Sequence, residues 1–231
     1  MKENKIKLVL KFAVLLVVSL FTAFPFIWMI LSALKTKAEI MNVGAFFPAV
    51  PQWSNFISVI FHSPLPGYIV NSLWVSLVVV ALQIITGAMI TYAMVFLEFK
   101  GKNALFAIVM GTYMLPVAAT YIPSYIILSR WNLLDTMTGL IVSSSVSIFG
   151  IFLLRQSFMQ VPKGLVEAAR IDGGSHFRIL WEIICPMTKS SFITFGLMSF
   201  ISTYNNYMWP SLITKSSEKY LVSQGLRSFF I

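Results

Sequence analysis

Charge is scarce in this chain. Only 11% of its 231 residues are Asp, Glu, Lys or Arg, and only eight are acidic. Soluble domains carry about 25% charged residues, so the composition excludes an ordinary soluble globular protein. Cysteine is scarcer still. Cys185 alone can form no intramolecular disulfide and no multi-cysteine metal site, and we read it as a small apolar packing residue. The two histidines, His62 and His176, fall in segments of different kind, so no catalytic pair and no metal-ligand cluster is expected. A G-x-x-x-x-G-K-[ST] loop, whose backbone amides and lysine cradle phosphates, is also missing. The chain is therefore expected to need no cofactor of its own and to catalyse no covalent chemistry.

What fills the sequence is apolar. Hydrophobic residues make up 58% of it, aromatics 15%, and the mean hydropathy is +0.82. A bilayer core about 30 Å thick is crossed by roughly 20 apolar helical residues. Five uncharged runs meet that length: Phe12 to Leu34, Ile69 to Leu97, Ala104 to Ser129, Thr136 to Leu154 and Ser190 to Thr214. Lipid offers no hydrogen-bond partner to a backbone amide, so these runs predict helices. The expected spans are 12–34, 69–97, 104–129, 136–158 and 190–214, within one all-α integral membrane domain covering 1–231. Pro25, Pro116 and Pro123 predict kinks. The first run is too long for a cleaved signal segment, whose apolar region is about 7–15 residues, and reads as an uncleaved span.

Lysine and arginine bias sets an expected orientation. A cytoplasmic N-terminus puts Lys2, Lys5, Lys7, Lys11, Lys100, Lys102, Arg155, Lys163, Arg170, Arg178 and Lys189 inside, and Lys35, Lys37, Arg130, Lys215, Lys219 and Arg227 outside, 11 against 6. The net charge of +9 thus follows membrane topology, and nucleic acid is not an expected partner. Phe46, Phe47, Trp53, Phe56 and Trp131 read as interfacial anchors on the outer side.

None of the five runs contains an ionisable side chain of Asp, Glu, Lys, Arg or His. Ion-coupled carriers usually hold such groups within the membrane, so a secondary carrier is the weaker alternative, and energy is expected to enter from another polypeptide. Polar residues inside the runs include Asn71, Gln83, Thr86, Ser143, Ser144, Ser145, Ser147, Asn205 and Asn206. They either line a translocation pathway, for which Asn205, Asn206 and Ser144 are the candidates, or join helices by hydrogen bonds, the commoner use of small polar residues in membranes.

Between Val161 and Pro186 the chain turns polar: V-P-K-G-L-V-E-A-A-R-I-D-G-G-S-H-F-R-I-L-W-E-I-I-C-P. Pro162 suits a first helical turn, Lys163 to Ile171 favours helix, and Asp172 with Gly173-Gly174 stops it. Ser175 then caps a second amphipathic helix directed toward Pro186. A helix, a sharp turn and a second helix, with small Ala168 and Ala169, make an element that docks into a partner's groove, or one that lies on lipid headgroups.

Glu167-Ala168-Ala169, three residues, Gly173, nine residues and Ile183-x-Cys185-Pro186 resemble the cytoplasmic EAA loop of permease subunits of ATP-binding-cassette importers. Further matches are Leu133-Leu134-Asp135-Thr136, Thr138-Gly139-Leu140-Ile141, Phe149-Gly150-Ile151-Phe152-Leu153-Leu154-Arg155-Gln156, Lys35-Thr36 with Glu39-Ile40, Asn71-Ser72-Leu73 and Asn205-Asn206-Tyr207-Met208-Trp209-Pro210. Together they resemble the carbohydrate, maltose-type group, particularly its smaller second permease. The resemblance implies a type I importer fold in a bacterial inner membrane. It implies a second permease subunit, two cytoplasmic ATP-binding subunits, an extracellular solute-binding protein and a sugar substrate; a non-sugar solute is the alternative. It makes Glu167, Ala168, Ala169, Asp172 and Gly173 the ATPase-coupling residues, over a loop of 161–189, with ATP held by the partner subunits. Cys185 stands where the group usually has Leu, a tolerable apolar exchange. The group has six spans and this sequence shows five, so a missing final helix, poor assembly and little transport are expected.

Overall fold

We describe residues 5–42 and 44–229 of a computed structural model of the chain. Lys2 of the basic N-terminus and the C-terminal Ile231 lie outside the described residues, as do the side chains of Lys5 and Ile6. The described residues form helices joined by turns, with no strand. They divide into two compact units, 1–64 and 65–231.

The first unit holds α1 (Lys5–Ala33), α2 (Lys37–Met41) and α3 (Ser54–His62). α1 carries Pro25 in its interior and is long and apolar enough to cross a membrane. The turn after it is tightly specified. Thr36 and Glu39 form a reciprocal capping box at the start of α2. The other Glu39 carboxylate oxygen accepts from the Ala49 amide at 2.9 Å. The Thr36 amide, then that of Ala49, draws the Glu39 carboxyl below its usual pKa. Lys35 is buried, donates to the Ala45 carbonyl and lies 4.5 Å from the centre of the Trp28 ring, so its charge is both hydrogen-bonded and faced by a π cloud.

The second unit is organised by α4 (Leu65–Phe96), 32 residues and so about 48 Å long. Around it stand α5 (Lys102–Tyr113), α6 (Val117–Arg130), α7 (Met137–Ser143), α8 (Ile148–Phe158), α9 (Lys163–Ile171), α10 (His176–Met187), α11 (Lys189–Tyr204), α12 (Met208–Ile213) and α13 (Val222–Ser228). α4 packs chiefly on α8 and α11. Gly150 lets α8 approach α11 closely, because a Cβ there would strike the ring of Phe195 on α11. Close approach through small residues is how membrane helices gain contact without a hydrophobic drive between them.

α1 and α4 are each long enough to span, and counting each bent pair as one span gives up to five among the described residues. Three of the runs are broken rather than kinked. The 104–129 run divides into α5 and α6 with a 101° bend. Pro116 is responsible: it cannot donate to a helical bond and disfavours helix at Leu115, so it stands just before α6, whereas Pro123 is accommodated inside α6. The fourth run breaks by 43° between α7 and α8, where the hydroxyls of Ser143, Ser145 and Ser147 bond neighbouring backbone groups. The 190–214 run ends as helix at Tyr204, and α12 follows separately.

Two apolar cores flank a polar layer along α4. One gathers Val75, Val79, Leu128, Leu140, Trp209, Ile213 and Leu221; the other gathers Ala88, Tyr92, Leu154, Phe158, Val161, Val166, Ile179, Leu180, Ile184 and Phe195. Gln83 lies between them. At the Leu65 end, Asp135 fastens the segment after α12: its carboxylate accepts from the Lys215 amide at 2.9 Å, the Ser216 amide at 3.0 Å, the Ser216 hydroxyl and the Lys219 ammonium.

Candidate functional site

The polar segment 161–189 folds as a helix, a turn and a helix. α9 begins after Pro162, whose missing amide costs nothing at that position. It ends in a paired glycine turn. Asp172 is the last residue of helical sense, Gly173 adopts φ +83°, its amide donates to Arg170 O at 3.1 Å, and the Gly174 amide donates to Ala169 O at 2.9 Å. This is the Schellman arrangement, which satisfies two helix-end carbonyls by passing the chain through the left-handed region. Both glycines are required. Gly173 has the backbone conformation that side chains disfavour, and a Cβ on Gly174 would stand 2.7 Å from Ala169 O.

Ser175 caps the second helix, accepting from the Arg178 amide at 3.3 Å. Arg178 and Glu182 pair at 2.7 Å one turn apart, an exposed contact that water screens and that adds little stability. The helix then widens: Ile179–Ile184 is π-helical and the Cys185 amide donates five residues back to Leu180 O. The widening stands next to Pro186, whose ring would crowd the carbonyl four residues earlier in a regular α-helix. After Thr188 the chain turns 84° into α11. Burial pushes the Cys185 thiol up to about 11, so at neutral pH it stays protonated and packs as an apolar group.

One side of this element is core and the other is free. Val166, Ile179, Leu180 and Ile184 are buried against Tyr92, Leu154 and Phe158 of α4 and α8. The Tyr92 hydroxyl and His176 Nδ1 share a hydrogen bond of 2.9 Å. Glu167, Ala168, Asp172 and Gly173 are exposed, and Ala169 is half-buried at the turn. Ile171 is 86% exposed and Phe177 61%. Beside the loop a cavity of about 500 Å³ is lined by Glu98, Lys102, Lys163, Glu167, Arg170 and His176 together with the end of α4. The loop's five candidate residues therefore lie in the second half of α9 and the glycine turn that ends it, and exposed Ile171 and Phe177 adjoin them.

The candidate pathway residues fare differently. Asn205 ends α11 and its amide donates back to Ile201 O at 2.9 Å; Asn206 follows it. Ser144 ends α7, and its carbonyl accepts from Gln83 at 2.7 Å. Several other polar residues join helices or satisfy backbone. Asn71 donates to Glu218 O and Tyr220 O, Thr86 shares its one hydroxyl proton between Leu82 O and Ser145 O, and Ser143 accepts from the Trp209 indole. A second cavity, of about 350 Å³, does open at the polar layer. Gln83 and Ser147 reach it; Asn205, Asn206 and Ser144 do not line it. Tyr113, Ser199, Ser202 and Thr203 line it as well, residues outside the polar candidates of the sequence.

Known proteins with the same pattern are membrane transport components. The family described as binding-protein-dependent transport system inner membrane component matches residues 83–231. The arabinooligosaccharides transport system permease protein AraQ of Halalkalibacterium halodurans is 28% identical over 213 residues, covering 90% of this chain and 76% of that protein. The sn-glycerol-3-phosphate transport system permease protein UgpE of Yersinia enterocolitica is 31% identical over 237 residues, covering 99% of this chain and 84% of its own length. In Yersinia pestis the protein of that name is 34% identical over 188 residues, covering 78% of this chain and 66% of itself. A crystal structure of a bacterial ABC transporter involved in the import of the acidic polysaccharide alginate superposes with a TM-score of 0.87 at 22% identity, over all of this chain and 82% of that one. The fold is that of a type I importer permease.

Proposed function

Because this chain belongs to the family of inner membrane components of binding-protein-dependent transport systems, we propose that it forms, with a second permease subunit, the membrane pathway for a sugar or related polyol. Two cytoplasmic ATP-binding subunits drive it and an extracellular solute-binding protein delivers the solute. The observation that carries this reading is the 163–174 element: a helix ended by a paired glycine turn, with Glu167, Ala168 and Asp172 exposed and its opposite side buried on α4 and α8.

Such an element transmits force. An ATPase groove that receives the exposed turn moves Val166, Ile179 and Leu180 with it, and these are packed on Tyr92, Leu154 and Phe158. Closure of the ATPase dimer then tilts α4 and α8 and favours the outward-open state; ATP hydrolysis restores the inward-open one. This is a shift between two access states, set by the partner's differential affinity for them. Relatives named for arabinooligosaccharides support a neutral sugar, and relatives named for sn-glycerol 3-phosphate support a polyol ester as the second reading.

The N-terminus and residues 161–189 face the cytoplasm in this proposal, and residues 35–68 face outward, a reading that the lysine and arginine bias supports. In a Cys185→Ser background, an impermeant thiol reagent applied to intact cells should label Ser54→Cys and miss Lys163→Cys. The opposite pattern would reverse the topology and remove the loop from any cytoplasmic ATPase.

A further inference from the structure

The polar layer beside Gln83 is built around a break in the membrane helices. α7 stops at Ser143 and α8 starts at Ile148, leaving the carbonyls of Ser144 and Ser145 without helical partners. α4 supplies them: Gln83 Nε2 donates to Ser144 O at 2.7 Å, and the Thr86 hydroxyl, whose one proton it shares with Leu82 O at 2.7 Å, reaches Ser145 O at 3.1 Å. Ser199 Oγ of α11 donates to Gln83 Oε1 at 2.6 Å. Irregular backbone at membrane depth is tolerated where protein groups satisfy it, as Gln83 and Thr86 do here, and Ser147 of the same break borders a polar cavity. The cavity of about 350 Å³ opens at this level, bordered by Gln83, Tyr113, Ser147, Ser199, Ser202 and Thr203, with Phe149 and Phe195 as its apolar wall.

We infer that this cavity is a binding subsite for a neutral polyhydroxylated solute, a saccharide, and that it disfavours phosphorylated or carboxylated relatives of it. The inference rests on the transport reading above and narrows it. Ser199, whose one O–H goes to Gln83, offers lone pairs only; with the other hydroxyls and the amide it matches the mixed donor and acceptor pattern of sugar hydroxyls, while the phenylalanines cover C–H surface. Gln83 keeps one N–H beyond its bond to Ser144. Ser147 spends a lone pair on the Gly150 amide and keeps its O–H. The volume lies within the roughly 300–1,000 Å³ of small-molecule sites.

Charge decides the class. Among the described residues, no Lys, Arg or His, and no Asp or Glu, borders the cavity. An anion entering it would lose hydration with no cation in return, and an ionised group without a partner in a low-dielectric site is heavily disfavoured. The helix ends do not substitute for one, because the C-terminus of α7 and the N-terminus of α8 meet at the same break and their partial charges oppose each other. The charged lining of the loop cavity shows the contrast within one chain: Lys102, Lys163 and Arg170 all border that one.

The test uses the whole complex, purified from its native membranes through a tag on this chain, with labelling read on this chain's own band. Ser202→Cys in a Cys185→Ser background should react with a small neutral methanethiosulfonate reagent. Glucose, maltotriose or arabinotriose should slow that reaction severalfold, and sn-glycerol 3-phosphate or glucuronate at equal concentration should not. No labelling, no protection by any of the three neutral sugars, or equal protection by the anions would overturn the inference. Uptake into proteoliposomes with the cognate binding protein separates the two claims. ATP-dependent uptake of sn-glycerol 3-phosphate in place of the neutral sugars would overturn the subsite and leave the transporter standing. Loss of ATP dependence for every solute would overturn both.

Discussion

Tyr92 of α4 and His176 of α10 share a 2.9 Å hydrogen bond across 84 residues of sequence, with their rings edge to face at 5.8 Å. This is the polar link between the 161–189 loop and α4, and it stands beside the apolar contact of Val166, Ile179 and Leu180. A push received by the loop reaches the membrane helices through these two sets of contacts.

Tyr92→Phe removes the hydroxyl and keeps the ring, so the packing with Phe96 and the edge contact remain. Losing one such bond costs about 0.5–1.5 kcal/mol, too little to prevent insertion. The expected result is ATP hydrolysis near the unmodified level with severalfold less solute moved per ATP. An unchanged transport-to-hydrolysis ratio in both Tyr92→Phe and His176→Ala would show that apolar packing alone carries the coupling.

At Gly150 a larger side chain meets Phe195. Gly150→Val should lower the thermal unfolding temperature of the purified complex, with overpacking worth about 1–3 kcal/mol. Pairing it with Phe195→Ala should recover part of the loss, because the two residues are in contact and their effects do not add. Strict additivity would mean that α8 and α11 do not meet there.

Asp135 gives a pH prediction. The Ser216 hydroxyl, then the amides of Ser216 and Lys215, hold its carboxyl well below the usual carboxylate range. A depressed native pKa stabilises the fold above the unfolded value and loses that stabilisation as pH falls toward the native one. The stability difference between the unmodified chain and Asp135→Asn should therefore stay level from neutral pH down to about 4, the ordinary range for Asp, and shrink below it. Limited proteolysis after Thr214 across that range reads it. A difference that vanishes by pH 5 would show that the carboxylate is not held by these donors.

Local features were the legible ones. The helix over Lys163–Ile171, the glycine turn and the Ser175 cap depend on residues within a few positions of one another, and each lies where the sequence pattern puts it. The membrane class followed from composition in the same way. What depends on distant partners was hidden. Asp135 meets Ser216 81 residues away, and nothing near Leu133-Leu134-Asp135-Thr136 signals it beyond the tolerance of Asp for the φ of 54° it adopts. The serines of 143–147 read equally as pathway or packing, because hydroxyls serve both. Only the break between α7 and α8 shows that Ser143 and Ser145 bond their own helix end, while Ser147 caps the next helix and borders a cavity. Apolar length likewise marks where a span can be without showing that Pro116 bends it by 101°.

The loop at Glu167–Gly173 as the seat of the ATPase is tested most directly by Gly173→Val in the tagged complex. Gly173 has open space around it, so the substitution acts through backbone conformation, and a β-branched residue at φ +83° is strained by about 1–3 kcal/mol. The measurement is the amount of ATP-binding subunit retained on this chain, with membrane insertion and pairing to the second permease as controls. The account predicts that the ATPase is lost together with ATP-driven uptake while insertion and pairing persist. Full ATPase retention and full uptake with Gly173→Val would contradict it.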